Sequence, residues 1–293
     1  MRVAYYRGAM SISRSETRGG DVTVGGIRLH YLDWGGEGPP IVILHATGLL
    51  GRIYRPIADA LTAIGHVYSY DQAGHGDSGR PAIEEIGWDR TAADLEGFLA
   101  SMKIRGARAV GHSAGGTAIG AVASRRPDLI ARAVLAEPVI VDVANPLQGP
   151  QELHQRTLRR KRVFDSVDAM YRNFEHKPPY DTWRRDVLRD YCEFGTREAA
   201  DGKRELKCAP EIEAQIYLTA RDFDGLAMIL RSSVPMLVLF GEKSDTQGIV
   251  FKERIAASGA HRRVEVIAGT GHFLPMEKPE KVAQMATEFF AGE

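Results

Sequence analysis

The sequence predicts an α/β fold: a mostly parallel, eight-stranded sheet flanked by helices, with one helical insertion. Two observations predict it. Short strand-like runs alternate with helical periodicity along most of the chain, and this alternation stops between residues 139 and 233. Several of the runs, such as 41–44 and 236–240, are apolar throughout, which is typical of central strands buried on both faces.

The strands and helices follow one another in regular order. The predicted strands are residues 22–24, 27–34, 40–45, 67–70, 108–111, 133–136, 236–240 and 264–267. Helical periodicity is found between them at about 53–64, 87–103, 115–125, 249–258 and 279–291. Strands that alternate with helices favour a parallel sheet with right-handed crossovers.

The middle of the chain has a different character. Residues 139–233 have few β-branched runs and many charges, and their helical patterns near 150–175, 180–194 and 209–231 are separated by prolines. We interpret this segment as a helical cap on the carboxyl ends of the strands. The predicted core is then residues 21–138 and 234–293, and residues 1–20, rich in Arg, Ser and Gly, predict a flexible N-terminal arm.

The composition argues against charged macromolecular partners. Lys plus Arg and Asp plus Glu both number 38, so no net charge recruits nucleic acid or an anionic membrane. No apolar run is long enough for a membrane span or a signal-peptide core, and Cys192 and Cys208 lack metal-site spacing. We predict a cytoplasmic protein with reduced thiols, no metal and no cofactor.

A candidate nucleophile lies at residues 111–115, Gly-His-Ser-Ala-Gly, between a predicted strand and a predicted helix. Glycines on both sides permit the sharp turn that holds a serine hydroxyl above the end of a sheet. A serine hydroxyl is a weak nucleophile at neutral pH unless a base removes its proton. Ser113 is therefore the predicted nucleophile, and His112 beside it is predicted to pack or to form hydrogen bonds.

The predicted base is His272 and the predicted acid is Asp245, and each follows one of the last two strands. A histidine base is usually oriented by a carboxylate on its other ring nitrogen. The carboxyl ends of parallel strands bring such residues to one edge of the sheet. Three other carboxylates near strand ends are alternatives for the acid: Glu242, Glu137 and Asp142.

The loop of residues 45–48 follows a central strand and is placed to stabilise negative charge. An attacking serine creates a negatively charged oxygen, which needs preorganised N–H donors. The predicted donors are the main-chain N–H groups of Thr47 and of Ala114, the residue after the nucleophile. His45 and His75 are predicted to brace these loops.

These stretches, with residues 71–78 and 271–279, resemble the motifs of the α/β-hydrolase superfamily in their order along the chain. The chain departs from that pattern at Ala46, where His-Gly is usual, and at Gln72-Ala73, which stand where Asp-x-Arg-Gly is common, so the arginine of that pattern is absent. Dehalogenases and epoxide hydrolases of the superfamily carry aspartate at the nucleophile position, where this chain has Ser113. The resemblance implies a serine hydrolase with a catalytic triad.

We expect hydrolysis of a small to medium carboxylic ester or lactone through an acyl-enzyme intermediate. The same triad serves amides, thioesters, carbon–carbon bonds of β-diketone type and cofactor-free perhydrolysis, and these alternatives differ in the pocket rather than in the motif. A ligand receptor and a non-catalytic scaffold on a hydrolase fold are alternatives of another class. Multiple turnover would exclude both.

The predicted cap is expected to decide the substrate, and its exposed helices could pair in a homodimer. Its aromatic side chains are the candidates for lining a pocket. They are Phe164, Tyr171, Phe174, Tyr180, Trp183, Tyr191 and Tyr217. The sequence identifies no single one of them as a substrate-binding residue.

Overall fold

A computed structural model describes residues 18–144 and 150–292 of the chain. Most of the predicted arm, residues 1–17, lies outside the described residues. The main sheet has eight strands. They are β1 (Arg18–Val24), β2 (Ile27–Gly35), β3 (Pro40–Leu44), β4 (His66–Tyr70), β5 (Ala107–His112), β6 (Ile130–Ala136), β10 (Met236–Gly241) and β11 (Arg262–Ile267). Three further strands, β7 (Val163–Phe164), β8 (Thr196–Glu198) and β9 (Arg204–Leu206), belong to a separate small sheet.

All eight predicted strands lie in this sheet, and its order is β1-β2-β4-β3-β5-β6-β10-β11. The hairpin of β1 and β2 joins β4 in antiparallel pairing, and the remaining neighbours are parallel. The predicted fold class is confirmed. The predicted arm is three residues too long, because Arg18 to Gly20 already pair with β2.

Helices cover both faces of the sheet. They are α1 (Arg55–Leu61), α2 (Trp88–Ser101), α3 (Ala114–Arg125), α9 (Lys252–Ala257), α10 (Leu274–Glu277) and α11 (Pro279–Ala291). Alternate residues of β3 point to opposite faces: Val42 packs with Phe98 of α2, whereas Ile43 packs in the cluster that holds Phe290 of α11. The central strands therefore separate two hydrophobic cores, which explains their apolar sequences.

The described part of residues 139–233, the cap segment, contains five α-helices, two short 3-10 helices and a small antiparallel sheet. The helices are α4 (Pro150–Leu158), α5 (Val167–Phe174), α6 (Arg185–Phe194), α7 (Pro210–Thr219) and α8 (Gly225–Arg231). The sheet, in the order β7-β9-β8, is formed by β7 (Val163–Phe164), β8 (Thr196–Glu198) and β9 (Arg204–Leu206). Strands of two or three residues are too short for a period-2 pattern, so the sequence does not predict them.

The cap segment packs on the core through the apolar side of α6. Val187, Leu188 and Tyr191 are buried in the same hydrophobic cluster as Ile53, which precedes α1. The single helical pattern predicted at 209–231 corresponds to two helices, α7 and α8. Asp224 separates them as the N-cap residue of α8, and its side chain accepts a hydrogen bond from Ala227 N. Helix α7 lies against the loops that follow β3 and β4, where Glu213 approaches Gly48 and Ile212 approaches Gly74.

Candidate active site

Ser113 occupies a strained turn between β5 and α3. Its φ of 53° and ψ of −121° lie outside the regions that L-residues usually adopt. The flanking glycines make this turn possible: a Cβ on Gly111 would lie 2.6 Å from Gly115 O, and one on Gly115 would lie 2.5 Å from Leu44 O. Backbone strain of this kind costs about 1–3 kcal/mol and is found mostly at functional sites.

His272 reaches this serine from the loop after β11. Its Nε2 lies 3.2 Å from Ser113 Oγ. The loop is fixed by Glu277, whose Oε2 accepts a hydrogen bond of 3.0 Å from Gly271 N. Burial raises the pKa of Glu277, and the bond from Gly271 opposes that rise. Nε2 is therefore placed to accept the serine proton.

The carboxylate that contacts the base is Glu137, which directly follows β6. Its Oε2 lies 3.2 Å from His272 Nδ1, and the side chain is completely buried. Three further donors hold it: Gly241 N at 2.6 Å, Ser244 Oγ at 2.6 Å and Thr246 Oγ1 at 2.9 Å. Donors on this many sides fix the carboxylate in one orientation.

The prediction of Asp245 as the acid is wrong, because its side chain is exposed and Glu137 occupies the position beside His272. The loop around Asp245 has a different part in the site, since the hydroxyls on either side of it, on Ser244 and Thr246, hold Glu137. Strand order alone does not separate the two candidates, because β6 and β10, which they follow, are neighbours in the sheet, and only the contact of Glu137 with His272 identifies the acid.

The other two carboxylates that the sequence offered are engaged elsewhere. Glu242 accepts a hydrogen bond of 2.9 Å from Gly269 N, and Asp142 forms an ion pair of 3.6 Å with Arg254. One feature of the sequence near Glu137 could have identified this residue as the acid. It follows a wholly apolar strand end, where a charged side chain must find several donors if it is buried.

Hydrogen bonding around the loop after β3 leaves one of its amides available. Ala46 N donates to Tyr54 OH at 3.1 Å, and Gly48 N donates to His75 Nε2 at 3.0 Å. Thr47 N, between them, has no acceptor within residues 18–144 and 150–292. Ala114 is the first residue of α3, so its N–H has no partner within the helix. Both predicted donors are thus available, and their role stays a prediction.

Two neutral histidines hold this loop in place. His45 Nε2 accepts from Gln72 N at 2.8 Å, and His75 Nε2 accepts from Gly48 N, so each ring carries its proton on Nδ1. Burial lowers the pKa of His45 to about 4 and that of His75 to about 3. The rings accordingly act as fixed acceptors inside the protein, which agrees with the bracing role predicted for them.

Tyr54 and His112 connect the same loop to the base. His112 Nε2 lies 2.9 Å from His272 O, and its Nδ1 lies 2.7 Å from Tyr54 OH. Burial lowers the pKa of His112 well below its usual value, so the ring is neutral and its single proton is on Nε2. Tyr54 then donates to Nδ1 and accepts from Ala46 N, and the backbone of His272 is tied to the loop after β3.

The aromatic side chains of the cap segment extend towards His272. The ring of Phe273 lies 5.2 Å from that of His272 and 5.2 Å from that of Trp183, which is 5.0 Å from Tyr180. Phe164, Phe174 and Tyr191 continue the same cluster. Tyr171 is partly buried against the same hydrophobic cluster, and its ring centroid lies 5.9 Å from Cζ of Arg189.

Within the described part of the chain, no group of His, Cys, Asp and Glu is arranged to hold a metal ion. Cys192 and Cys208 are buried free thiols. None of the helices described is long and apolar enough to cross a membrane.

A serine, a histidine and a carboxylate in this geometry, on a sheet of this order, define a class of hydrolytic enzymes. The sequence matches the model of the alpha/beta hydrolase family over residues 41–285. The chain belongs to this family.

Two curated relatives show how varied the family is. Epoxide hydrolase A from Mycobacterium tuberculosis is 36% identical over 318 aligned positions, covering 92% of this chain and 96% of that protein. N-formylmaleamate deformylase from Pseudomonas putida is 32% identical over 133 residues, covering 45% of this chain and 47% of that protein. The second match therefore spans about half the length of that relative.

Among solved structures, E-2-(acetamidomethylene)succinate hydrolase superposes with a TM-score of 0.83 at 22% sequence identity. The superposition covers 94% of this chain and 100% of that chain. At this identity the likeness shows the shared fold.

Replacing Glu137 separates the two candidate acids. In Glu137→Gln the amide group would donate to Nδ1 and force the wrong tautomer on His272, so kcat is expected to fall about 10³–10⁴-fold with little change in KM. In Asp245→Asn, an exposed position, kcat should stay within about threefold. Steady-state kinetics on an activated ester measures both. Equal losses in the two variants, or a larger loss in Asp245→Asn, would contradict the assignment.

The buried histidines predict a stability that falls in acid. Their pKa values are lower in the folded protein than the ordinary value of 6.5, so the contribution is complete above about pH 6.5. As the pH falls towards 4 and then 3, the unfolded chain takes up protons that the folded protein refuses. Each histidine should then lower the free energy of unfolding by about 1.4 kcal/mol per pH unit.

Urea unfolding of the wild type and His75→Gln over this pH range measures the effect. The glutamine oxygen retains an acceptor for Gly48 N but does not titrate, so the variant should show a shallower pH dependence. The same slope in both proteins would mean that His75 does not contribute.

Proposed function

We propose that this protein is a serine hydrolase that cleaves a carboxylic ester or lactone through an acyl-enzyme intermediate. One observation carries the proposal: a continuous line of contacts runs from Ser113 Oγ through His272 to the buried carboxylate of Glu137. The strained turn at Ser113 supports it, because strain at a serine beside a histidine serves to present the hydroxyl.

In the acylation step, Ser113 Oγ attacks the substrate carbonyl carbon while His272 Nε2 takes the hydroxyl proton. The carbonyl oxygen becomes an oxyanion that accepts hydrogen bonds from Thr47 N and Ala114 N. The bond to the leaving oxygen then breaks, and that oxygen receives the proton from His272. The products of this half-reaction are the free alcohol and an ester on Ser113.

Deacylation repeats these steps with water. His272 Nε2 takes a proton from the water, whose oxygen attacks the acyl carbon, and the carboxylic acid leaves as Ser113 recovers its proton. Throughout, Glu137 keeps the proton of the neutral imidazole on Nδ1 and stabilises the imidazolium when it forms. No cofactor takes part in either step.

Amide hydrolysis is the second candidate, because one relative is a deformylase of N-formylmaleamate. It uses the same groups, with His272 protonating a leaving nitrogen. Thioester and carbon–carbon hydrolysis and perhydrolysis need the same three residues, so the groups around the serine decide among them. We further propose that residues 139–233 act as the cap that makes this choice.

Labelling with a fluorophosphonate probe, read by intact mass, tests the proposal. Wild type and Ser101→Ala, which removes an exposed serine at the end of α2, should each gain one adduct. Ser113→Ala should gain none, and His272→Ala should react orders of magnitude more slowly because its serine has lost the base. A folded wild type that gains no adduct would overturn the proposal.

Paired substrates then separate the two candidates. A 4-nitrophenyl ester and the matching 4-nitroanilide share an acyl group and differ in the leaving atom. If the protein is an ester hydrolase, its kcat/KM for the ester should exceed that for the anilide by far more than the difference in chemical reactivity of the two substrates explains. Comparable kcat/KM values for the pair would favour the amide candidate instead.

A further inference from the structure

A charged cluster in the cap segment lies beside the candidate active site. Arg160, which follows α4, forms an ion pair through Nη1 with Oε2 of Glu213 on α7. Its Nη2 donates to Tyr180 OH at 2.9 Å and to Tyr191 OH. Tyr217 OH donates to the other carboxylate oxygen of Glu213 at 3.2 Å. The Arg160 and Glu213 side chains are 18% and 10% exposed, so the pair is mostly withdrawn from solvent.

The cluster touches the loop that holds the predicted oxyanion donor. A Cβ built on Gly48, the residue after Thr47, would lie 2.9 Å from Cδ and 3.0 Å from Oε1 of Glu213. On the other side, Tyr180 leads through Trp183 to Phe273, the neighbour of His272. Arg160 thus contacts both Glu213, which lies against the loop after β3, and Tyr180, which belongs to the aromatic cluster beside His272.

The hydrogen bonds of Arg160 use only part of its capacity. A guanidinium has five N–H donors, and three of them are engaged by Glu213, Tyr180 and Tyr191. The Nε–H and one Nη1–H have no acceptor among residues 18–144 and 150–292. Arg160 Nε is not fully buried, so its N–H group is open to water or to a ligand, whereas an arginine that only supports a fold usually uses its donors within the protein.

Arg262 is the contrasting case. It is 5% exposed, and its guanidinium donates to four main-chain carbonyls, those of Ile229, Ser258, Leu230 and Ser232. That arginine has the pattern expected of a structural residue. Arg160 bonds instead to side chains of the cap segment, and its unused donors belong to the part of the guanidinium that remains accessible.

We propose that Arg160 binds a carboxylate of the substrate, so that the enzyme prefers acyl substrates with an anionic group a few atoms from the scissile carbonyl. The proposal rests on the proposed function and names its substrate class. A carboxylate matches both the charge and the free donors of the guanidinium, since charge-assisted hydrogen bonds are the stronger kind. Glu213 opposes this preference, because its own negative charge lies on the same guanidinium.

Because Arg160 and Glu213 have opposite effects on an anionic substrate, their replacement should change the substrate preference in opposite directions. The probes are 4-nitrophenyl hydrogen succinate, which is anionic, and its methyl ester, which is neutral, and the readout is the ratio of their kcat/KM values. Arg160→Gln should lower the ratio about tenfold or more, the usual effect of losing a hydrogen bond to a charged group. Glu213→Gln should raise it, because the guanidinium charge is then uncompensated.

Arg159→Gln is the matched control, since Arg159 is exposed, adjacent in sequence and donates through Nε to a main-chain carbonyl, Gln155 O. It should leave the ratio unchanged. Arg160→Lys keeps the charge with different donors, so it should keep part of the preference and serves if Arg160→Gln does not fold. A ratio that is unchanged in Arg160→Gln, or lowered in Glu213→Gln, would overturn the inference.

Labelling of Ser113 by the uncharged fluorophosphonate probe distinguishes a failure of the inference about Arg160 from a failure of the proposed function. If all variants are labelled and the ratio does not move, the protein is a serine hydrolase without an anion-binding arginine. If the wild type is not labelled, the proposed function itself is wrong.

Discussion

The buried carboxylate of Glu137 is the constraint on which the arrangement of the site depends. It carries a charge into a position with no solvent contact, which is unfavourable unless several donors surround it. Those donors come from three places: the end of β10, the loop after it, and the loop after β11. One side chain therefore fixes the relative positions of these loops, and His272 is held towards Ser113.

A second set of buried polar groups fixes the loop after β3 in the same way that Glu137 fixes the loops around His272. His45 and His75 fix the loop after β3 through its backbone, and Tyr54 with His112 joins that loop to the carbonyl of His272. Each of these histidines is neutral because burial lowers its pKa. Neutral rings have one donor and one acceptor, and this fixes which loop amides are engaged and leaves the amide of Thr47 available.

Much of the fold follows from sequence pattern, because strands buried on both faces must be apolar and alternate with helices. The turn at Ser113 is equally local: its glycines are required by close backbone contacts within a few residues. The acid is different. Asp245 and Glu137 follow neighbouring strands at the same edge of the sheet, and only the side-chain contacts show which carboxylate faces the histidine. The pairing of Arg160 with Glu213 joins positions 53 residues apart, which no local pattern indicates.

We propose that Glu137 holds the proton on His272 Nδ1, and nuclear magnetic resonance of the protein with ¹⁵N-labelled histidine tests this most directly. A proton in a strong bond between imidazole and carboxylate resonates far downfield and couples to Nδ1. We expect this signal in the wild type and in Asp245→Asn, and its loss in Glu137→Gln. A signal that persists in Glu137→Gln, or that disappears in Asp245→Asn, would contradict the account.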